Sequence, residues 1–158
     1  MVFREIAYGS ADYRRECALR DAVLRKPLGL RLADDDLEAE RDQWHFGLFD
    51  AQGQLVGCIV AAPLGSGGTF LGPSQRRGDP RAARLRQMAV AVEFQRQGHG
   101  RRVIAEVERA LTARGFTQLV LHARKVVVPF YEKLGYRAVG DEFIEVTIPH
   151  LRMEKTLA

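Results

Sequence analysis

An α/β fold follows from three features of this 158-residue chain. A strand-like run at 84–92 leads through the glycine-bearing turn Gln95-Arg96-Gln97-Gly98-His99-Gly100 into an amphipathic helix, and then into a second apolar run at 118–122. Strand, helix and strand in that order make a right-handed crossover whose two strands lie parallel in one sheet. Upstream, the runs 44–49 and 54–62, joined by Asp50-Ala51-Gln52-Gly53, read as an antiparallel hairpin with glycine where a positive φ is needed. With hydrophobic residues at 46% and charged residues at 28%, the chain suits one globular domain over residues 1–158 with a sizeable core.

The elements follow in order. Residues 2–8 alternate apolar and polar side chains, as a strand does, and Ser10 or Asp12 supplies the N-cap of a helix carrying Cys17, Ala18, Val23 and Leu24. Pro27 and Gly29 stop that helix. Residues 32–41 are a second helix candidate, because the Asp34-Asp35-Asp36 run favours the positive end of a helix dipole. After the hairpin, the Gly-rich connection over 63–83 reads as a surface loop or as a lid over a binding site. Beyond the glycine turn, Val103, Ile104, Val107, Ala110 and Leu111 recur at helical spacing with Arg102, Glu106 and Arg109 opposite, and Gly115 ends the helix. Pro129 opens a shorter helix that Gly135 closes, and strands at 136–139 and 151–156 complete the chain.

The formal net charge of +4 is spread over many arginines rather than one tract, and no base-reading motif accompanies it. A solvated surface explains it better than a nucleic-acid stripe. Cys17 and Cys58 stand apart and read as reduced core thiols; no histidine or cysteine pair has metal-ligand spacing. No apolar run approaches membrane-spanning length, which gives a cytoplasmic expectation with neither nucleic acid nor membrane as partner.

The turn over 95–100 carries the chemistry. Gly98 and Gly100 remove Cβ atoms where the backbone bends, so successive N–H groups can point into one concavity at the positive end of the helix dipole. An anion fits there, although a strand-to-helix turn can hold glycines for geometry alone. The third glycine of a dinucleotide fingerprint is missing and no Gly-Lys-Ser/Thr follows, which removes the Rossmann and P-loop readings.

This turn resembles the Q/R-x-x-G-x-G/A signature of the GNAT superfamily, the acetyl-CoA-dependent N-acetyltransferases. Pro129-Phe130-Tyr131-Glu132-Lys133-Leu134-Gly135-Tyr136 resembles that family's F-Y-x-x-x-G-F/Y helix, and the two motifs stand in family order. Residues 143–155, with Glu145 and His150, look like the ending of a small bacterial group whose acceptors are mostly unassigned. The resemblance covers residues 54–157 well and the N-terminal helices more loosely. It implies a mixed, mostly antiparallel sheet of six or seven strands, parallel at its centre, with helices on both faces.

It also implies a division of labour. Met88, Ala89 and Val90 would meet the pantetheine arm of acetyl-CoA along a bare strand edge, and Gln95, Arg96, Gln97, Gly98, His99, Gly100 and Arg101 would hold its pyrophosphate. Arg96 stands where many members have glycine, and Gln95 replaces the commoner arginine. Tyr131 would give a proton to the departing thiolate, a role a phenol of pKa about 10 can fill. Glu145 or His150 would take the proton of the amine, with Glu93 as a weaker candidate; His122, at the end of the next strand, would face the cleft, and His45 has no functional context. The implied reaction is direct acetyl transfer to a primary amine in a ternary complex without a metal, the acceptor being a small molecule or a protein lysine. The alternative is a non-catalytic acyl-CoA sensor or partner-binding module on the same fold. Monomer and homodimer are equally compatible with the sequence.

Overall fold

A computed structural model describes residues 1–64 and 81–157. Seven strands form one sheet in the order β1-β2-β3-β4-β5-β7-β6. They are β1 (Val2–Ile6), β2 (Trp44–Phe49), β3 (Leu55–Pro63), β4 (Ala82–Val90), β5 (Gln118–Arg124), β6 (Arg137–Glu145) and β7 (Ile148–Thr156). Every neighbouring pair is antiparallel except β4 and β5, which run parallel. The helices are α1 (Ala11–Arg20), α2 (His99–Ala113) and α3 (Val128–Lys133).

Alternation along the central strands divides their side chains between two faces. Ile59, Ala61, Leu85, Leu121, Ala123 and Met153 join Val103, Ile104, Val107 and Leu111 of α2 in the main core. Burying each of the Val, Leu, Ile and Met side chains in this set contributes about 1.5–3 kcal/mol. The opposite face presents polar groups to α1, which buries Tyr13, Glu16 and Arg20 rather than an apolar stripe. Arg20 Nη1 donates to Glu16 Oε2 at 2.8 Å and to Glu40 Oε1 at 2.7 Å, while Nη2 donates to Glu40 Oε2 at 2.9 Å. His45 Nδ1 lies 2.9 Å from Glu16 Oε2, and its Nε2 lies 2.9 Å from the Glu40 carbonyl. His45 is therefore part of a buried ionic network under the sheet.

Several boundaries differ from the sequence reading. The first strand ends at Ile6 rather than at residue 8, and β4 covers 82–90 rather than 84–92, with a 3₁₀ turn at Val92–Phe94. The helix expected over 32–41 is instead two short 3₁₀ turns, Leu32–Asp34 and Glu38–Glu40. Its aspartates are used elsewhere: Asp35 pairs with Arg25 at 2.8 Å, and Asp36 Oδ1 accepts the Ala39 N–H. The strands expected at 136–139 and 151–156 are one long hairpin, β6 with β7, and β5 extends to Arg124. The surface loop or lid expected within 63–83 lies mostly outside the described residues.

The hairpin between β6 and β7 turns through Val146 and Thr147, at φ +44° and +71°. A two-residue loop of this kind needs positive φ at both positions, which Asn-Gly supplies and β-branched residues resist. The double substitution Val146→Asn, Thr147→Gly is therefore expected to stabilise the fold by about 1–2 kcal/mol. Denaturant melts of the two proteins check this; an unchanged midpoint would show that the turn carries no strain.

Candidate functional site

The site begins where the sheet splits. β4 and β5 pair in register from Ala82↔Gln118 to Leu85↔Leu121 and no further. Beyond that point β5 continues against β7, while β4 continues against β3 to Gly57↔Val90, so residues 86–90 of β4 have no strand partner on the side toward β5. A bulge helps open the gap: the β3–β4 register shifts between Cys58 and Val60, and Gln87 opposite it has φ +56°. A cavity of about 810 Å³ fills the split, lined by Met88, Ala89 and Val90 on one side and by Leu121, His122 and Ala123 on the other.

One end of this cavity is the turn into α2. Gly98 at φ +85° caps the helix with no side-chain hydrogen bond, which leaves the first α2 amides without a side-chain acceptor at the cap. A Cβ on Gly98 would meet nothing within 4 Å, so its bare side faces open space. Gly100 is less open, since a Cβ there would stand in van der Waals contact with Phe130 Cζ at 3.4 Å. Arg96 holds φ +63°, a conformation that glycine adopts without cost. The side chains of Gln95 and Gln97 fold back to the carbonyls of Val90 and Glu93, at 2.9 and 3.3 Å, and brace the turn. His99 packs edge-on to Phe94, and Arg96 and Arg101 line the cavity. Arg102 reaches instead to the Met1 carbonyl. Backbone amides beside two arginines make a cradle for a phosphate-like anion.

Tyr131, the fourth residue of α3, stands in the cavity wall with its ring edge-on to Phe130 and Tyr136. Pro129 in the first turn and Gly135 at φ +93° set the bounds of this short helix. Burial pushes the Tyr131 phenol up to about 12, and its hydroxyl has no hydrogen-bond partner among the described residues. It is a protonated, unspent donor.

The other end of the cavity holds His122, Glu145 and His150. His122 Nδ1 lies 2.9 Å from Glu145 Oε2 and 3.1 Å from Arg84 Nη2. Only one of these can be a hydrogen bond at a time, because Arg84 needs a lone pair on Nδ1 and Glu145 needs a proton there. The carboxylate contact is the shorter one, and it leaves the lone pair on Nε2. Burial alone would raise the Glu145 carboxyl, but the hydrogen bond and charge of His122, with Arg84 and His150, outweigh it and hold the group below its ordinary value. His150 is 4% exposed, gives Nδ1 to the Ile148 carbonyl at 2.9 Å and stacks on Phe143. Glu93 is exposed on the 3₁₀ turn after β4 and lies outside the cavity lining. The His122–Glu145 pair could not be read from spacing, since its members sit on β5 and β6 with β7 between them. The polar residues His122 and Arg124, alternating in an otherwise apolar strand, were its one signal.

Among the described residues, Glu16, Glu40 and His45 come close enough to hold a metal. That space belongs to Arg20, whose guanidinium already bonds both carboxylates, so a metal ion there would face a cation at hydrogen-bond distance. No helix among the described residues is long and apolar enough to cross a membrane.

Residues 31–157 match the family model of the acetyltransferase (GNAT) domain, and the chain belongs to that family. It is 26% identical to the uncharacterized N-acetyltransferase YjcF of Bacillus subtilis over 138 residues, 87% of each chain. YyaT of the same organism, an uncharacterized protein, is 30% identical over 76 residues, so the match spans 48% of this chain and about half, 51%, of that relative. Among solved structures, an aminoglycoside 6'-N-acetyltransferase complexed with coenzyme A superposes with a TM-score of 0.74 at 19% identity, covering 99% of this chain and 97% of that one. That last likeness concerns the fold.

Proposed function

We propose that this protein transfers an acetyl group from acetyl-CoA to a primary amine by direct attack. The observation that carries the reading is the split between β4 and β5: a strand edge without a strand partner lies in one cavity with an amide cradle at Gly98 and an unspent phenol at Tyr131. In this reading the pantetheine arm lies along Met88, Ala89 and Val90 as an added strand would. Amides of 97–101, with Arg96 and Arg101, take the pyrophosphate. The thioester then lies between Tyr131 and the His122–Glu145 pair.

His122 Nε2 takes a proton from the acceptor ammonium, with Glu145 fixing the ring through Nδ1 and balancing the imidazolium. The amine nitrogen attacks the thioester carbonyl, the carbon–sulfur bond breaks, and Tyr131 O–H supplies the proton that the departing thiolate needs. The second amine proton passes to the Tyr131 phenolate, which restores the phenol and leaves the amide. His150 forms wall behind this pair. Glu145→Gln keeps the hydrogen-bonding shape but removes the charge, and kcat is expected to fall by about tenfold or more with CoA affinity unchanged. Equal turnover in that variant, measured by thiol release, would take the pair out of the reaction.

The cradle has its own test. Gly98→Val places a branched side chain in the open space at a positive φ, and CoA affinity by calorimetric titration is expected to drop by at least about tenfold, or about 1.4 kcal/mol. Undiminished affinity in the folded variant would place the cofactor elsewhere. The reading puts the enzyme in the cytoplasm, where its two free thiols, Cys17 and Cys58, stay reduced.

A further inference from the structure

We propose that the acceptor amine also carries an anionic group, a carboxylate or a phosphate, and that Arg124, with Arg86 on the same sheet face, receives that group. The inference rests on the acetyl-transfer reading and names the class of its acceptor. Arg86, His122 and Arg124 all line the cavity. They occupy alternate positions on β4 and β5 and so share the face opposite the Leu85, Leu121 and Ala123 core.

The cations of this wall are not equally engaged. Arg25 is paired with Asp35 at 2.8 Å. Arg86 Nη1 donates to Gln43 Oε1 at 2.7 Å, and it reaches Glu40 only at 3.4 Å, where that carboxylate already holds Arg20 and Tyr13. Arg124 has no ion pair among the described residues; its Nη2 donates to the Leu24 carbonyl at 2.8 Å. Behind His122, the Arg84 Nε is buried without a partner. Arg152, on β7 opposite His122, is more than nine-tenths buried, with both Nη atoms unpartnered and only its Nε on Glu154.

Against these guanidinium groups stands one cavity carboxylate among the described residues, Glu145, which His122 engages. Burial lowers the pKa of Arg84, Arg86 and Arg124, and neighbouring arginines add to the shift on each. A planar guanidinium with free N–H groups matches a carboxylate or phosphate in a two-bond fork. An acceptor with an ammonium at one end and an anion at the other would put the ammonium at the His122–Glu145 pair and the anion on Arg124. A polyamine would set its second cation among like charges.

The test measures thiol release from acetyl-CoA with 4-aminobutyrate, its amide 4-aminobutyramide, phosphoethanolamine, ethanolamine and putrescine as acceptors. One anionic probe is expected to exceed its neutral counterpart and putrescine by at least about tenfold in kcat/KM, and whichever it is identifies carboxylate or phosphate. Arg124→Gln should bring that ratio to within about threefold of unity, chiefly through KM. Equal use of neutral and anionic probes, a preference for putrescine, or an unchanged ratio in Arg124→Gln overturns the proposal. If no probe is acetylated, titrating 4-aminobutyrate and phosphoethanolamine into CoA-saturated protein decides the anion site alone. Saturable binding lost in Arg124→Gln then keeps the anion site while the acetyl-transfer reading falls; no saturable binding overturns the anion site.

Discussion

Tyr131→Phe is expected to lower kcat by about 10²-fold or more while leaving CoA affinity nearly unchanged. The substitution keeps the ring that packs edge-on between Phe130 and Tyr136 and removes only the hydroxyl, which bonds to nothing among the described residues. Stability therefore has little reason to move. With burial holding the phenol up to about 12, the group stays protonated across the neutral range, ready to give its proton to a thiolate. The check is kcat at saturating acetyl-CoA with a confirmed acceptor, set beside a CoA titration and a melting curve. Wild-type turnover would remove Tyr131 from the chemistry.

The largest effect on stability is expected at Arg20. Its guanidinium is fully buried and holds Glu16 and Glu40, so Arg20→Met leaves two carboxylates facing each other away from water, at a cost of about 3–5 kcal/mol. The pH dependence separates this cause from simple loss of packing. In the native protein burial would raise Glu40, but Arg20 and Tyr13 outweigh it and hold the carboxyl below its ordinary 4.5. That stabilisation is present above 4.5 and is lost as pH falls through the lower folded value. Without Arg20, burial dominates and Glu40 titrates above 4.5 instead, so the deficit of the variant should shrink as pH falls toward that range. Denaturant melts at neutral and mildly acidic pH measure it; a deficit independent of pH would contradict the ionic account. Adding Glu40→Gln to Arg20→Met should recover part of the loss.

The parts of this fold legible in the sequence are those punctuated by residues with special backbones. Gly98 at the start of α2, Gly115 beyond its end, Pro129 in the first turn of α3 and Gly135 after it all mark real turns, and the apolar period of α2 matches its buried side chains. The acid-rich stretch over 32–41 misled because aspartates cap loops as readily as helices, and Asp21 Oδ1 even accepts the Leu32 N–H from a distant segment. The sequence reading ends this strand at residue 139, whereas β6 continues through Gly140-Asp141-Glu142 as a bulged strand at the sheet edge, with Gly140 at φ +82°. Glu16 and Arg20 have the spacing of a solvated helix pair, and nothing local shows that Glu40 and His45 bury them. For the same reason the cradle was visible in one contiguous motif, whereas the His122–Glu145 pair needed the order of three strands.

Acetyl transfer from CoA to an amine on this protein can be followed atom by atom. Carbon-labelled acetyl-CoA incubated with the protein and the anionic and neutral amine probes, followed by mass spectrometry of the amine and titration of released thiol, tests it most directly. Labelled amide and free CoA are expected in equal amounts, both strongly reduced in Tyr131→Phe. Saturable CoA binding with no labelled amide from any probe, and no thiol beyond the protein-free rate, would contradict it and leave a module that binds the cofactor without using it.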